Sequence, residues 1–325
     1  MSIPFEDKLH NVTNYGDPSI SDQLKFSCFS FFDYALLNAG AFTNISFPTG
    51  TYPSGIGSHS SAPYFLRSSR DPRYASGQVW EGFKNNWVWE TGISRTEQPI
   101  RVSGVYINNT FYSTGTVGAT GFKIIHPEGR IIFNSPIPTT SQVKCEFSYK
   151  NVKIAMADAP WFQSVQFDSL RPDSQQFKQS AGSGSWDVLS ANRVQLPAIV
   201  IDSVPRVLLS AFEMGSLRRY HRQELAFHIF TETAFERDQL HDIIINQWDR
   251  TVVGISKKNM MESGVMPLSY DGTINPSGLN YKQAIDSVSY IWNQFRFEQV
   301  RSAEVEARPP MYRAIVKALL AIDGY

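Results

Sequence analysis

The chain has 325 residues, enough for two or three domains, and its 30 basic side chains balance its 30 acidic ones. This balance argues against a dedicated nucleic-acid-binding protein, which usually carries a basic excess, and it removes a source of repulsion between copies of the chain. Aromatic residues make up 13% of the chain and charged residues only 18%. That composition fits either a phenylalanine-rich core or large contact surfaces between proteins.

The two cysteines, Cys28 and Cys145, are far apart in the sequence and are expected to be buried, reduced thiols. The first residues show neither the basic nor the apolar region of a signal peptide, and no apolar run reaches the length of a membrane span. We therefore expect a soluble protein that folds in a reducing compartment and does not contact a membrane.

The N-terminal region predicts an extended arm, one helix and long loops. The arm covers residues 1–20, and Ser21 or Asp22 is the expected N-cap of a helix with an apolar stripe that ends near Gly40. Residues 47–64 are rich in glycine, proline, serine and threonine and predict a long loop. A core or interface position is favoured over stacking on sugars or bases for three clustered tryptophans: Trp80, Trp87 and Trp89.

Residues 99–156 carry short runs of alternating apolar and polar residues, separated by turn residues, which predict an antiparallel sheet. Asn108 and Asn109 mark one hairpin turn, and Gly129 supplies the positive φ of another. Residues 142–154 alternate over their whole length and predict one strand with a solvated face.

The most regular pattern lies at 224–248, where a strand is followed by an amphipathic helix. Apolar residues occupy both faces of the strand, so we expect it to be buried on both sides. Thr233 and Glu236 form a capping-box signature at the start of the helix. Two later runs, at 292–300 and 312–320, fit strands or helices, and the two prolines between them favour a strand pair that closes the sheet.

The sequence contains no converging set of catalytic or metal-binding residues. It lacks histidine pairs at zinc-binding spacing and any Cys-x-x-Cys pair, and we expect His228 to be a core or interface residue. The glycines at 115–121 lack the lysine of a phosphate loop, and no Gly-x-Ser-x-Gly motif occurs. We therefore expect no enzyme activity, no metal and no cofactor.

The basic cluster of the chain consists of Arg218, Arg219 and Arg222. Alternate residues of a strand would place these arginines on an exposed rim, where they can contact phosphates or form salt bridges with a neighbouring subunit. The sequence leaves both roles open. Together with the three tryptophans, these arginines are the candidate interface residues.

The run ELAFHIFTETAFERDQLHDIIINQWD at 224–249 resembles the strand–helix core of tail-terminator and neck proteins of tailed bacteriophages. The runs LPAIVIDSV at 196–204 and MYRAIVKALLAI at 311–322 resemble the outer strands of that unit. Upstream segments, among them GQVWEGFKNNWVWETGI at 77–93, resemble virion structural proteins of phages with large contractile tails.

This resemblance implies a virion structural protein of the neck, or head–tail connector, or of the tail end, which acts by assembly. It implies a ring, usually a homohexamer, that contacts adjacent neck, tail-tube or sheath proteins and that can touch the DNA in its channel passively. It implies no cofactor and no reaction. The expected location is the virion, after assembly in the host cytoplasm.

The expected fold class is α+β. A C-terminal mixed sheet flanked by helices, similar to that of tail terminators, follows a β-rich middle domain and an irregular, aromatic-rich N-terminal region. The predicted segments are 1–98 (arm, helix and loops), 99–170 (antiparallel β domain), 171–190 (linker) and 191–325 (terminator-like domain).

Two alternative functions remain open at this point. A carbohydrate-binding or baseplate receptor-contact module would use the Trp80–Trp89 cluster and the β-rich middle domain. An enzyme would need a concave pocket with converging titratable groups, and nothing in the order of the residues points to one.

Overall fold

The computed structural model describes residues 17–47, 62–69, 71–159, 162, 195–211, 219–308 and 311–322. In this part of the chain the fold is α+β and mostly β, as the sequence predicts. The described helices are α1 (Ile20–Asn38), α2 (Ala234–Ile245), α3 (Lys257–Glu262) and α4 (Tyr281–Ile285). The described strands are β1 (Phe42–Ile45), β2 (Phe65–Ser68), β3 (Val79–Glu81), β4 (Gly104–Ile107), β5 (Thr110–Ser113), β6 (Phe122–Ile125), β7 (Arg130–Phe133), β8 (Val143–Lys144), β9 (Phe147–Lys150), β10 (Lys153–Met156), β11 (Ala198–Ala211), β12 (Arg219–Thr231), β13 (Thr251–Ile255), β14 (Ile291–Arg308) and β15 (Met311–Ile322).

A seven-stranded antiparallel sheet has the strand order β5-β4-β8-β2-β3-β7-β6. Asn108 and Asn109 join β4 to β5 with φ values of 47° and 71°, the two positive φ angles that a tight hairpin turn requires. Gly129 precedes β7 with a φ of 63°, and a Cβ there would lie 2.6 Å from the carbonyl oxygen of Lys84. Both predicted hairpins are therefore confirmed.

A six-stranded mixed sheet has the order β10-β11-β12-β15-β14-β13. β10 runs parallel to β11, and the other neighbours are antiparallel. Leu225, Phe227 and Ile229 of β12 share one apolar core with residues of α1 and α2, so both helices cover the same face of the sheet. The predicted pairing of the two apolar runs near the C-terminal end is confirmed as the β14–β15 hairpin.

The predicted unit of a buried strand and a helix is confirmed as β12 followed by α2. Thr233 is the N-cap of α2, because its hydroxyl oxygen accepts a hydrogen bond from the Glu236 N–H at 3.2 Å. The same hydroxyl donates to the Glu236 carboxylate at 3.0 Å. The predicted start of this helix is therefore correct. The two side chains of the capping-box signature are bonded to each other, hydroxyl to carboxylate.

The prediction of one half-solvated strand at 142–154 is wrong. The segment divides into three strands: β8 belongs to the seven-stranded sheet, β9 pairs with β1 in a two-stranded sheet, and β10 belongs to the six-stranded sheet. Lys144 and Ser148, which the alternation assigned to the solvated face, are buried, and so is Lys150 further along the segment. Because the segment passes from one sheet to the next, neighbouring strands and α1 cover the side that an isolated strand would expose to water.

The N-cap residue of α1 also differs from the predicted Ser21 or Asp22. The N-cap is Ser19, whose hydroxyl oxygen accepts a hydrogen bond from the Asp22 N–H at 3.1 Å. Ser21 and Asp22 lie inside the first turn of the helix. The carboxylate of Asp22 interacts favourably there with the positive end of the helix dipole.

Several predicted segments lie outside the described residues: most of the arm, most of the loop at 47–64 and the linker at 171–190. Strands from the predicted segments 1–98 and 99–170 combine in the seven-stranded sheet. None of the helices in the described part of the chain has the length and hydropathy needed to cross a membrane.

We expect Phe227→Ala to lower the free energy of unfolding by about 3–5 kcal/mol, because its ring is fully buried and packs edge-on against Phe32 at 5.3 Å. Urea denaturation followed by circular dichroism measures this loss. The matched control is Phe235→Ala on α2, whose ring is 76% exposed and whose loss should stay within about 0.5 kcal/mol. Equal losses in the two variants would contradict the described packing.

Candidate functional site

The tryptophan cluster lies largely in the core of the β-rich part. Trp80 is buried, and its indole N–H donates to the carbonyl oxygen of Gly77 at 2.9 Å. Trp87 is fully buried and stacks on Phe147 with 4.4 Å between ring centroids. The core interpretation therefore holds for these two rings, and neither has an exposed face with which to contact another chain or a sugar.

The predicted arginine cluster is described only in part. Arg218 lies outside the described residues, and the structure gives the backbone of Arg219 within β12 but not the surroundings of its side chain. Arg222 is half-buried and donates to the Glu298 carboxylate at 2.7 Å, while its guanidinium lies 4.6 Å from the centre of the Tyr220 ring. Arg222 is therefore engaged within its own chain.

Three charged residues that the sequence analysis did not select meet in the interior. We call this group the Lys150 triad. It consists of Asp33 of α1, Glu90 of the loop that follows β3, and Lys150 at the end of β9. The Lys150 ammonium donates to the Asp33 carboxylate at 2.5 Å and also to the Glu90 carboxylate. Trp89 covers the triad, with its ring centre 5.7 Å from the Lys150 nitrogen. The triad thus links three segments that are distant in the sequence.

Burial and neighbouring charges determine the protonation of the triad. Burial and the neighbouring Asp33 together raise the pKa of Glu90 to about 8, against the opposing effect of Lys150. Burial lowers the pKa of Lys150, but the charges of Asp33 and Glu90 outweigh it, so the net shift is upward. The Glu90 carboxyl therefore holds its proton to a higher pH than an exposed glutamate does, while Lys150 keeps its charge.

A cavity of about 310 Å³ lies beside the triad. Phe26 and Phe29 of α1 form one wall, Trp89 a second, and Met266 a third. Lys153, the first residue of β10, also lines it, so we call it the Lys153 cavity. Apolar walls with a few titratable groups are typical of binding sites for small molecules or single side chains.

Sequence reasoning missed this site because its residues come from distant segments and no local spacing connects them. One signal was present: Asp33 is the only charged residue among the apolar and small residues of α1 between Phe26 and Asn38. A lone carboxylate on an apolar helix face needs a buried partner. The sequence does not identify that partner as Lys150.

Other titratable side chains singled out in the sequence are buried in the protein interior. Cys28 and Cys145 are buried free thiols, as expected, and burial raises the pKa of each. Burial and the Arg313 guanidinium, 3.3 Å from its Nδ1, together lower the pKa of His228 to about 4. Within the described residues, no group of three histidine, cysteine or carboxylate side chains is arranged to hold a metal ion.

Comparison with known proteins adds no relative to this picture. No protein-family model matches the chain, and no curated protein matches it. The resemblance to tail-terminator and neck proteins therefore rests on the residues of the strand–helix unit and its neighbouring strands.

We expect Lys150→Met to lower the free energy of unfolding by about 3–5 kcal/mol, because it leaves the Asp33 carboxylate buried without its partner. The matched control is Lys282→Met, which removes an exposed pair with Asp286 and should cost about 1 kcal/mol or less. Denaturant unfolding at pH 7 measures both. Similar small losses in the two variants would show that the triad contributes no more than a surface pair.

The raised pKa of Glu90 predicts a pH dependence with a defined sign. The folded state binds a proton that the unfolded carboxyl releases above its own pKa of about 4.5, so the contribution of Glu90 to stability is fully present below that pH and declines until about pH 8. The measurement is the difference in unfolding free energy between wild type and Glu90→Gln, from pH 5 to 9. The unfolding free energy of the wild type should fall relative to that of the variant as pH rises. An opposite trend would contradict a raised pKa for Glu90.

Proposed function

We propose that this chain is a structural component of a tailed-phage particle. It forms a ring, a homohexamer, at the neck or head–tail junction or at the tail end, and it acts by self-assembly and by contact with adjacent neck, tail-tube or sheath rings. The resemblance of residues 224–249 and the presence of β12 followed by α2 support the proposal. No reaction is part of this function.

An uncovered sheet edge is the observation that carries the proposal. β14 is 18 residues long, but β13 pairs only with residues 291–296. Along residues 299–308, no strand of the described chain pairs with the side of β14 that faces away from β15. At about 3.3 Å per residue this edge is roughly 30 Å long. Soluble monomers usually cover or blunt such an edge, because its unpaired backbone groups bind other chains.

The opposite side of the sheet has a different edge. β10 pairs with residues 198–201 of β11, and no other described strand covers the remainder of this edge, which contains Pro205 and a register shift between Ser203 and Val207. A proline and an irregularity both disfavour the addition of a strand. The two edges are therefore unlike, which suits a ring, because a closed ring uses contacts between two different surfaces of neighbouring copies.

The tryptophan geometry favours this proposal over a carbohydrate-binding module. Stacking on a sugar needs exposed aromatic faces, whereas Trp80 and Trp87 are buried in the core. Trp89 is half-buried over Lys150 and lines the Lys153 cavity.

The test is the absolute mass of the purified chain by light scattering, alone and with phage tail tubes. We expect a ring in one or both conditions, and we expect Val305→Lys to prevent its formation, because Val305 lies on the uncovered part of β14 and is 52% exposed. A charged lysine on an edge strand opposes pairing with another chain.

The matched control is Val288→Lys, which places the same charge at an 85% exposed position outside the sheets. It should assemble like the wild type. A wild-type chain that remains monomeric in both conditions would contradict the proposed function, and equal loss of assembly in the two variants would contradict the role of the β14 edge.

A further inference from the structure

The Lys153 cavity has the size and walls of a binding site. Its volume of about 310 Å³ lies at the lower end of the range of small-molecule pockets. Met156 and Met266 line it beside Phe26, Phe29 and Tyr281. Methionine side chains adjust their shape to irregular apolar groups, and aromatic rings supply fixed contact area. The cavity is therefore suited to an apolar group of modest size.

Lys153 gives this apolar cavity a positive charge that nothing else in the described chain neutralises by contact. Its ammonium makes no ion pair or hydrogen bond with the described residues, and burial lowers its pKa. Glu128 acts on it only through space, and the Glu128 carboxylate already binds Arg130 at 2.8 Å. An ammonium that is withdrawn from water without a partner is destabilised, so a bound anion would restore a lost interaction.

The neighbouring charges do not provide that anion. Asp33 and Glu90 both accept hydrogen bonds from the Lys150 ammonium, so neither carboxylate is paired with Lys153. A ligand that brings a carboxylate would therefore give the Lys153 side chain a partner that the described residues do not supply. This arrangement favours a ligand with an anionic group over a neutral ligand.

We propose that the Lys153 cavity binds an amphipathic carboxylate, whose single carboxylate pairs with the Lys153 ammonium while its apolar body fills the space between α1, Trp89 and Met266. The cavity admits an apolar body of roughly ten non-hydrogen atoms. A free organic acid and the C-terminal residue of an apolar peptide share this chemistry. The inference goes beyond the proposed assembly function and does not depend on it.

The test uses 4-phenylbutanoate and its neutral amide, 4-phenylbutanamide, as probes in isothermal titration calorimetry with the full chain. We expect the wild type to bind the acid at least about tenfold more tightly than the amide, because only the acid pairs with Lys153. Lys153→Met keeps much of the apolar stem and should remove this preference while binding the amide as the wild type does. Lys153→Arg keeps the charge and should retain the preference.

A third arm identifies the source of the carboxylate, with a tripeptide that ends in phenylalanine and its C-terminal amide. Preference for the free peptide terminus, with weak binding of the small acid, assigns the site to a segment of another chain. Preference for the small acid assigns it to a free metabolite.

The control for surface charge is Lys282→Met, which removes an exposed lysine outside the cavity and should leave every preference unchanged. Thermal unfolding of each variant shows that the fold is retained. Equal binding of acid and amide by the wild type, a preference that survives in Lys153→Met, or no binding of any probe would overturn the proposal.

Discussion

The Lys150 triad is the interaction on which the arrangement of this fold depends. Its ammonium lies at the end of β9, three residues before β10 joins the six-stranded sheet, and its partners come from α1 and from the loop after β3. A buried charge is tolerated only when its partners are in place, so α1, the loop and β9 must come together before any of the three is satisfied. The side chain of Gln195 donates to the Lys150 carbonyl oxygen at 2.8 Å, so the residues that lead into β11 are also bonded to this junction.

The same junction explains why the protein has a cavity at this position. α1 packs its apolar side on the six-stranded sheet, while Phe26 and Phe29 also face residues of the segment before α4. Residues of α1, of the loop after β3, of β9 and β10 and of the segment before α4 meet there, and the triad residues line the cavity together with the apolar side chains. Both carboxylates of the triad are bonded to Lys150, so Lys153 is the basic side chain lining the cavity that no described carboxylate contacts.

Local sequence patterns predicted the parts of the fold that depend on local physics. β12 and α2 follow from an apolar run and an N-cap, and the Asn108–Asn109 and Gly129 turns follow from backbone preference. The error at 142–154 has a different origin, because alternation predicts a strand without predicting which sheets will cover it. Asp33, Glu90 and Lys150 escaped prediction because only the tertiary fold brings these distant residues together.

The proposed assembly into a ring is supported mainly by the edge of β14 that no described strand covers. Electron microscopy of the purified chain, alone and mixed with phage tail tubes, tests this claim most directly. We expect closed rings of one diameter, either free in solution or seated at the ends of the tubes. Isolated single chains beside bare tube ends, at concentrations where the protein remains folded, would contradict it.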